Sequence, residues 1–254
     1  MTFKSLFKRI FKLLLLKKDT KPITKDIIKP NYSYGKILEF IGPSGVGKTK
    51  LYNLTKDKLS SNWHYLEVIY PYKFNNTDEK LIDIHWNIFK KKSSFIENLN
   101  TKSITKLKLS GYFNQVLINN IKLMLIKNES GFFLEEGIFH NFSRELITLR
   151  DEDLVYILKN RCLVFILPRD SMNVVNQIRK RINEGGHTVY HHNGLNDKQL
   201  NTLTKDSVSN FNEFLERIQK FNIPVCKLYL EDGLEENCKK IIEFERSLFK
   251  HELN

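Results

Sequence analysis

The chain has 254 residues, 41% of them hydrophobic, and a formal net charge of +12, which suits one large α/β domain with an arm or an insertion better than two full domains. Its three cysteines, Cys162, Cys226 and Cys238, form neither a C-x-x-C pair nor a pairable framework, which disfavours a disulfide-stapled secreted protein. No apolar run reaches the length of a membrane-spanning helix, so we expect the body of the protein to be cytoplasmic.

The positive charge is concentrated in an amino-terminal arm and linker, residues 1–33. Residues 1–30 carry nine Lys or Arg and two Asp, a net charge of +7, and no DNA- or RNA-binding signature accompanies them, so no nucleic-acid partner is expected. The pattern over 3–18 predicts an amphipathic helix that lies on an anionic membrane surface, and docking on the protein's own core or on a partner is the alternative. The residues of its apolar face are Phe3, Leu6, Phe7, Ile10, Phe11 and Leu14.

Residues 36–49 read KILEFIGPSGVGKT, an apolar run that breaks into G-x-x-x-x-G-K-T. Glycines in such a loop let successive backbone N–H groups face the oxygens of a polyphosphate. Lys48 would reach the β and γ phosphates, and the Thr49 hydroxyl would bind Mg²⁺ at the start of the following helix. We therefore predict an ATP and Mg²⁺ site. Its nucleotide-binding residues would be Gly42, Pro43, Ser44, Gly45, Val46, Gly47, Lys48, Thr49 and Lys50.

The rest of the chain alternates between predicted strands and helices. Strands are predicted at 36–41, 65–69, 131–135, 162–167 and 225–230. Helices are predicted at 48–59, 78–91, 104–127, 142–159, 171–182, 197–221 and 234–248. This alternation predicts an α/β fold, a parallel sheet of about five strands with helices on both faces. Ligands of such folds bind at the carboxyl ends of the strands.

The order of these features resembles the nucleoside and nucleotide kinase branch of P-loop proteins over residues 36–250. The features are the glycine-rich loop, an acidic strand end, a strand ending in Pro, an Arg-x-Arg helix end, a loop with Gly and His, a long helix, and a last strand before EDGLEE. The resemblance implies a P-loop kinase-like domain at 34–254. Within it, 70–130 would be an acceptor-side insertion and 176–195 a lid.

In that family the end of the third strand supplies a carboxylate near magnesium or near the acceptor hydroxyl, and GFFLEEG at 131–137 is the matching place. The resemblance makes Glu135 and Glu136 the catalytic acidic candidates, with Thr49 and Glu135 as metal ligands. Phosphoryl transfer needs positioning and charge neutralisation more than covalent chemistry. Because side chains alternate along an extended strand, one of the two carboxylates should face the nucleotide. A solvated pair at a strand end is the alternative.

The segment 176–187 corresponds to the lid of these kinases. Arg179 and Arg181 would stabilise charge on the transferring phosphoryl group, with Arg181 the stronger choice, and Gly185 and Gly186 would form the hinge. A solvated helix face is the alternative for both arginines. The nearby histidines are better explained as part of a polar lid loop, or as contacts to the acceptor or to phosphate, than as a metal site. They are His187, His191 and His192.

Residues 70–130 are where the family binds its phosphate acceptor, yet the chain has no arginine between residues 10 and 143. Kinases of nucleoside monophosphates grip the acceptor phosphate with arginine forks, for which lysines are no geometric substitute. The octet at 42–49 also resembles guanylate kinase locally, but the arginine-rich acceptor segment is missing. Aromatic residues of this region could be core or a substrate platform. They are Trp86, Phe89, Tyr112 and Phe113.

The leading interpretation is an ATP-dependent kinase that phosphorylates a hydroxyl of a small molecule, such as a sugar or a glycolipid, with one magnesium ion. Lys48 and the loop would hold the phosphates, a Glu would supply the acid function, and a lid arginine would close the site. The alternatives are an NTPase switch or regulatory nucleotide-binding protein without an acceptor, and a nucleotide kinase. We expect the protein in the cytoplasm, with the arm able to place it on the inner face of the membrane.

Overall fold

The computed structural model describes residues 37–59, 63–65, 78–126, 131–185, 192 and 194–250. The predicted amphipathic helix at 3–18 and the linker after it lie outside the described residues. Five strands form one parallel sheet in the order β2-β3-β1-β4-β5. The strands are β1 (Ile37–Ile41), β2 (Trp63–His64), β3 (Gly131–Leu134), β4 (Arg161–Leu167) and β5 (Val225–Tyr229).

Helices flank this sheet, so the predicted α/β class with a five-stranded parallel sheet is confirmed. Among the described residues, no helix is long and apolar enough to cross a membrane. The helices are α1 (Lys48–Lys56), α2 (Glu79–Glu97), α3 (Ser103–Leu125), α4 (Ile138–Asn141), α5 (Ser143–Ile147), α6 (Asp151–Leu158), α7 (Ser171–Asn183), α8 (Asp197–Gln219) and α9 (Leu234–Lys250).

Strands β1, β3 and β4 are buried along their whole length. Continuous apolar runs of this kind are expected where helices cover both faces of a parallel sheet. In register, Ile37 of β1 faces Arg161 of β4, and Leu163 of β4 faces Val225 of β5. Because β1 and β4 are adjacent, the residues at their carboxyl ends emerge side by side.

The chain divides into two compact units. One comprises 62–132 and 149–160 of the described chain, and its core brings Leu81 of α2 against Ile118 and Ile121 of α3. The other comprises 37–61, 133–148 and 161–254. This second unit contains β1, β4 and β5 with α1, α4, α5 and α7 to α9, and it holds the predicted glycine-rich loop, both glutamates and both lid arginines.

The single helix predicted at 142–159 is wrong, since the structure has α5 and α6 there, preceded by the short α4. Thr148 ends α5, and its hydroxyl donates to the Glu145 carbonyl at 2.9 Å. Arg150 is then extended, with φ −64° and ψ 148°. The acidic run at 151–153 opens α6, where negative charge is favourable at a helix amino terminus.

Other predicted boundaries differ by a few residues. Helix α2 continues to Glu97, because the lysines at 90–92 do not interrupt it and Ile96 is still buried. Strand β2 lies at Trp63–His64 instead of 65–69; Tyr65 is not in it, and residues 66–69 lie outside the described residues. Asp78 begins α2, where its carboxylate accepts the Leu81 N–H at 3.0 Å.

Candidate functional site

A glycine-rich loop, residues 42–49, leaves the carboxyl end of β1 and enters α1. Its backbone demands glycine at two points. A Cβ on Gly42 would lie 2.1 Å from the Ile166 carbonyl oxygen, so the loop passes too close to β4 for a side chain. Gly47 begins α1 in the left-handed region, with φ 84°, and open space surrounds it. The loop therefore leaves the start of α1 accessible to a ligand.

The other predicted loop residues are distributed between the core and the surface. Pro43, Gly45 and Val46 are buried, Ser44 is half-buried, and Lys50 is exposed. Val46 thus anchors the loop, whereas Lys50 points away from the core. Of the predicted nucleotide-binding side chains, only those of Lys48 and Thr49 make contacts that bear on phosphate or metal binding.

Lys48 is buried and folds back over the loop. Its Nζ donates to the carbonyl oxygens of Gly42 and Pro43, both at 3.0 Å, and lies 3.4 Å from Glu136 Oε1. Burial lowers the pKa of Lys48, because the cation loses its hydration, while the charge of Glu136 opposes that shift. The ammonium group is therefore held at the loop with incomplete charge compensation, a state that favours an added anion.

Thr49 lies in the first turn of α1, and Glu135 follows β3 directly. The Thr49 hydroxyl donates a short hydrogen bond to Glu135 Oε1. The two predicted metal ligands are thus brought together. A hydroxyl and a carboxylate are the hard oxygen donors that Mg²⁺ prefers, and Mg²⁺ usually takes one or two protein ligands while water and phosphate complete its shell. In the described part of the chain, no group of three or more His, Cys, Asp or Glu could hold a metal by itself.

Glu136 faces a different set of partners. Its Oε1 lies 3.4 Å from Lys48 Nζ and 3.2 Å from His140 Nε2. The structure therefore separates the two carboxylates, since Glu135 contacts the threonine at the helix start and Glu136 contacts the loop lysine. Glu136 keeps about a third of its side chain exposed, 35%, so an incoming ligand can reach it.

His140 was missed by the sequence analysis. It lies on α4, four residues after Glu136, and its ring stacks on Phe211 of α8 with centroids 5.8 Å apart. The i, i+4 spacing of an acid and a histidine after an apolar strand is the signal that could have identified this pair. The stacking holds the imidazole in place beside the carboxylate.

A buried ion pair supports this segment from within the sheet. Glu39 Oε2 of β1 lies 3.1 Å from Arg161 Nη1 of β4, and both side chains are fully shielded. Glu39 Oε1 accepts the backbone N–H groups of Phe139 at 2.7 Å and His140 at 3.1 Å. Glu39 thus ties the turn that carries Glu136 and His140 to β1. A carboxylate in the middle of an apolar strand was the available sequence signal.

Burial shifts the pKa values of Glu39 and Arg161 in opposite directions. It raises the pKa of Glu39, and it lowers the pKa of Arg161 to about 10, because each charged form loses its hydration. Arg161 therefore stays charged at neutral pH. Gly137 packs directly on the pair, since a Cβ there would lie 2.5 Å from the Glu39 carboxylate.

The two lid arginines have different surroundings. Arg179 contacts the start of α8, where its Nε lies 2.6 Å from Asp197 Oδ1 and its Nη2 donates to the Leu195 carbonyl at 2.6 Å. Arg181 is exposed near the end of α7, and its positive charge contributes to the lowered pKa of Lys48. Arg181 is therefore the lid arginine whose charge acts on the loop.

The predicted hinge and the histidine loop are described only in part. Gly185 has φ 69° with no atom near its Cβ position. Gly186, His187 and His191 lie outside the described residues. His192 is buried, at 5% exposure.

The aromatic residues of the predicted acceptor region belong to the first unit. Trp86 is buried and stacks on the half-buried Phe89 with centroids 5.9 Å apart. Phe113 lies under Lys92, whose Nζ is 4.5 Å from the ring centroid. Tyr112 is 46% exposed. The core interpretation therefore applies to Trp86, while Tyr112 lies at the surface.

Comparison with known proteins adds little to this geometry. No protein-family model and no curated protein matches the chain. Among solved structures, the chain is similar to the crystal structure of an uncharacterized protein from Eubacterium ventriosum, at 13% identity and a TM-score of 0.41. That match covers 84% of this chain and 98% of the other.

Proposed function

We propose that the protein is an ATP-dependent phosphotransferase that moves the γ-phosphoryl group of MgATP to a hydroxyl of a small molecule. The observation that carries this proposal is that two adjacent glutamates contact different partners. Glu135 pairs with the Thr49 hydroxyl, and Glu136 pairs with Lys48 and His140. Metal binding, phosphate binding and proton transfer thus have separate groups at one end of the sheet, as the resemblance to P-loop kinases implies.

The residues present fit MgATP. Thr49 and Glu135 would hold the magnesium ion, which neutralises phosphate charge when bound. Lys48 and the backbone N–H groups of the loop would bind the phosphate oxygens. Arg181 would add positive charge from the lid side, since its charge already acts on Lys48.

In the proposed reaction, the acceptor oxygen forms a bond to the γ-phosphorus while the bond from that phosphorus to the bridging oxygen of ADP breaks. The hydroxyl proton passes to the Glu136 carboxylate, whose side chain is about a third exposed, 35%, and so can be reached by an acceptor. His140 and Lys48 orient this carboxylate. ADP and the phosphorylated acceptor leave, and Glu136 returns its proton to solvent.

A sugar or glycolipid hydroxyl is the proposed acceptor class. The chain has no arginine between residues 10 and 143, and arginine forks are the usual grip on an acceptor phosphate. In the described part of that region, Lys80 lies over the Tyr156 ring at 4.9 Å and Lys92 over the Phe113 ring at 4.5 Å. This disfavours the nucleotide-kinase alternative.

The test is ADP release from MgATP by the wild-type protein, with nucleotides, free sugars and extracted membrane lipids as separate acceptor panels. Lys48→Ala should abolish release. Lys58→Ala is the matched control, because this lysine is exposed and forms a surface ion pair with Glu235. Stimulation by sugars or lipids supports the proposal, and stimulation by nucleotides alone overturns the acceptor class. Acceptor-independent release that requires Lys48 would identify the NTPase switch instead.

A further inference from the structure

Helices α2 and α3 form a helical hairpin in the first unit, and its loop end exposes large apolar side chains. On α3, Ile104 is 57% exposed, Leu107 69% and Tyr112 46%. Their spacing of i, i+3 and i+8 places them on one face of the helix. The buried residues of α3 begin only at Leu117, so the first half of this apolar helix leaves its face open to solvent.

Phe95 of α2, 46% exposed, lies at the same end of the hairpin. Lys106 Nζ of α3 donates to the Glu97 carbonyl at the end of α2, at 2.7 Å. Lys92 Nζ lies 5.6 Å from the Phe95 ring and 4.5 Å from the Phe113 ring. These contacts join the ends of the two helices. We call this surface the hairpin tip, and its exposed apolar residues are Phe95, Ile104, Leu107 and Tyr112.

The hairpin tip is also strongly basic. Residues 87–115 contain six lysines and one acid, Glu97, a net charge of +5. Lys90, Lys91, Lys102 and Lys108 are exposed there. Exposed apolar side chains surrounded by lysines are complementary to a surface that has an apolar interior beneath a layer of negative charge.

We propose that the hairpin tip docks on an anionic lipid bilayer. A second copy of this chain does not fit, because a symmetric contact would bring the exposed lysines of two hairpin tips together. The amino-terminal arm does not fit either, since residues 1–30 carry +7. An anionic bilayer supplies both complements, with acyl chains for the exposed Ile104 and Leu107 and head groups for the lysines. This inference goes beyond the proposed phosphotransfer and is independent of it, because docking needs no nucleotide.

The test uses tryptophan as a local depth probe in the full-length protein. The native Trp63 and Trp86 are 4% and 8% exposed, so they contribute a shielded background. Leu107→Trp places a probe at the hairpin tip. Val155→Trp is the matched control, since Val155 is 47% exposed on α6. Its neighbour Tyr156 hydrogen-bonds Asp78, at the opposite end of α2, about 28 Å from the tip for a helix of this length.

Both variants are mixed with vesicles of brominated phosphatidylcholine and phosphatidylglycerol, whose bromine atoms quench nearby tryptophan. We expect quenching of Leu107→Trp and none of Val155→Trp, with the effect lost in vesicles of phosphatidylcholine alone. The double substitution I104Q/L107Q should also lower vesicle partitioning about tenfold. Equal quenching of the two probes, or none, overturns the proposal, and this covers the case in which the arm alone holds the protein on lipid. An acidic protein as the true partner would likewise leave Leu107→Trp unquenched.

Discussion

Glu39 and Arg161, on the adjacent strands β1 and β4, form an ion pair of 3.1 Å in which neither side chain has any exposure to solvent. The two residues are offset by two positions in the strand register, since Glu39 pairs with Leu163 and Arg161 pairs with Ile37. Glu39 also accepts two backbone N–H groups of the turn that carries His140. A charge inside the sheet therefore positions the segment that ends in the candidate site.

Removing the arginine should cost more than removing both charges. Arg161→Met leaves Glu39 buried and uncompensated, and we expect a loss of about 3–5 kcal/mol in the free energy of unfolding. In E39Q/R161M no buried charge remains, and the amide oxygen can still accept the Phe139 and His140 N–H groups. The double variant should therefore be more stable than R161M in urea denaturation. A double variant that is no more stable than R161M would contradict this account.

Lys48 should be a liability for stability, because its pKa is lowered by burial. Lys48→Met should raise the free energy of unfolding at pH 7 by about 1 kcal/mol while it abolishes nucleotide turnover. The folded state binds the Lys48 proton less tightly than the unfolded chain does. The charge of Lys48 therefore costs no stability above pH 10.5, the ordinary lysine pKa. The cost grows as the pH falls and is complete below the lowered pKa of the folded state.

The pH dependence separates this effect from a simple gain in packing. The stability difference between Lys48→Met and wild type should shrink as the pH is raised from 7 towards 10, as measured by urea denaturation at each pH. A difference that does not change with pH would mean that the lysine charge is not the cause. Lys58→Met is the control, because Lys58 is exposed.

The two adjacent glutamates should respond differently to magnesium. Glu135→Gln removes the carboxylate beside Thr49, so the Mg²⁺ concentration for half-maximal ADP release should rise by about tenfold or more. Glu136→Gln should lower kcat by about 10²-fold or more with little change in the magnesium requirement. Magnesium titrations of both variants check this. If Glu136→Gln carries the magnesium effect instead, the two roles are exchanged.

Substitution by alanine should have opposite effects on stability at Gly137 and at Gly111. Gly137→Ala would place a Cβ 2.5 Å from the Glu39 carboxylate, and we expect a loss of about 1–3 kcal/mol from overpacking. Gly111 lies exposed within α3 with no atom near its Cβ position. Gly111→Ala should stabilise the protein by about 0.5–1 kcal/mol, because alanine favours the helix. Thermal unfolding of the two variants gives both signs, and a neutral Gly137→Ala would mean that the turn shifts freely.

Much of the fold was predictable, because periodicity is a local property. The strands at β1, β3, β4 and β5 were each predicted to within a residue, since apolar runs bounded by turn residues have few alternatives. The helix at 142–159 was not, because an apolar and charged pattern can continue through Arg150 without any local signal strong enough to stop it. Residues 148–150 separate α5 from α6, and Arg150 among them is extended.

The candidate site was predictable only where one motif carries it. The loop at 42–49 identified Lys48 and Thr49 by spacing alone. The separate partners of Glu135 and Glu136 depended on the turn after β3, and Arg179 turned out to pair with Asp197, a residue 18 positions away. His140 and Glu39 were missed, because their roles come from contacts with residues distant in sequence.

The sequence by itself determined the α/β class, the glycine-rich loop and the basic amphipathic patterns, because these depend on spacing within short segments. The tertiary structure alone decided which side chains meet. The Glu39 and Arg161 pair joins positions 122 residues apart, and Thr49 meets Glu135 across 86. Such contacts follow from the order of strands in the sheet, which sets β3 and β4 on either side of β1. Spacing within short segments thus identifies the candidate residue types, whereas the packing of strands distant in sequence decides which of their side chains come into contact.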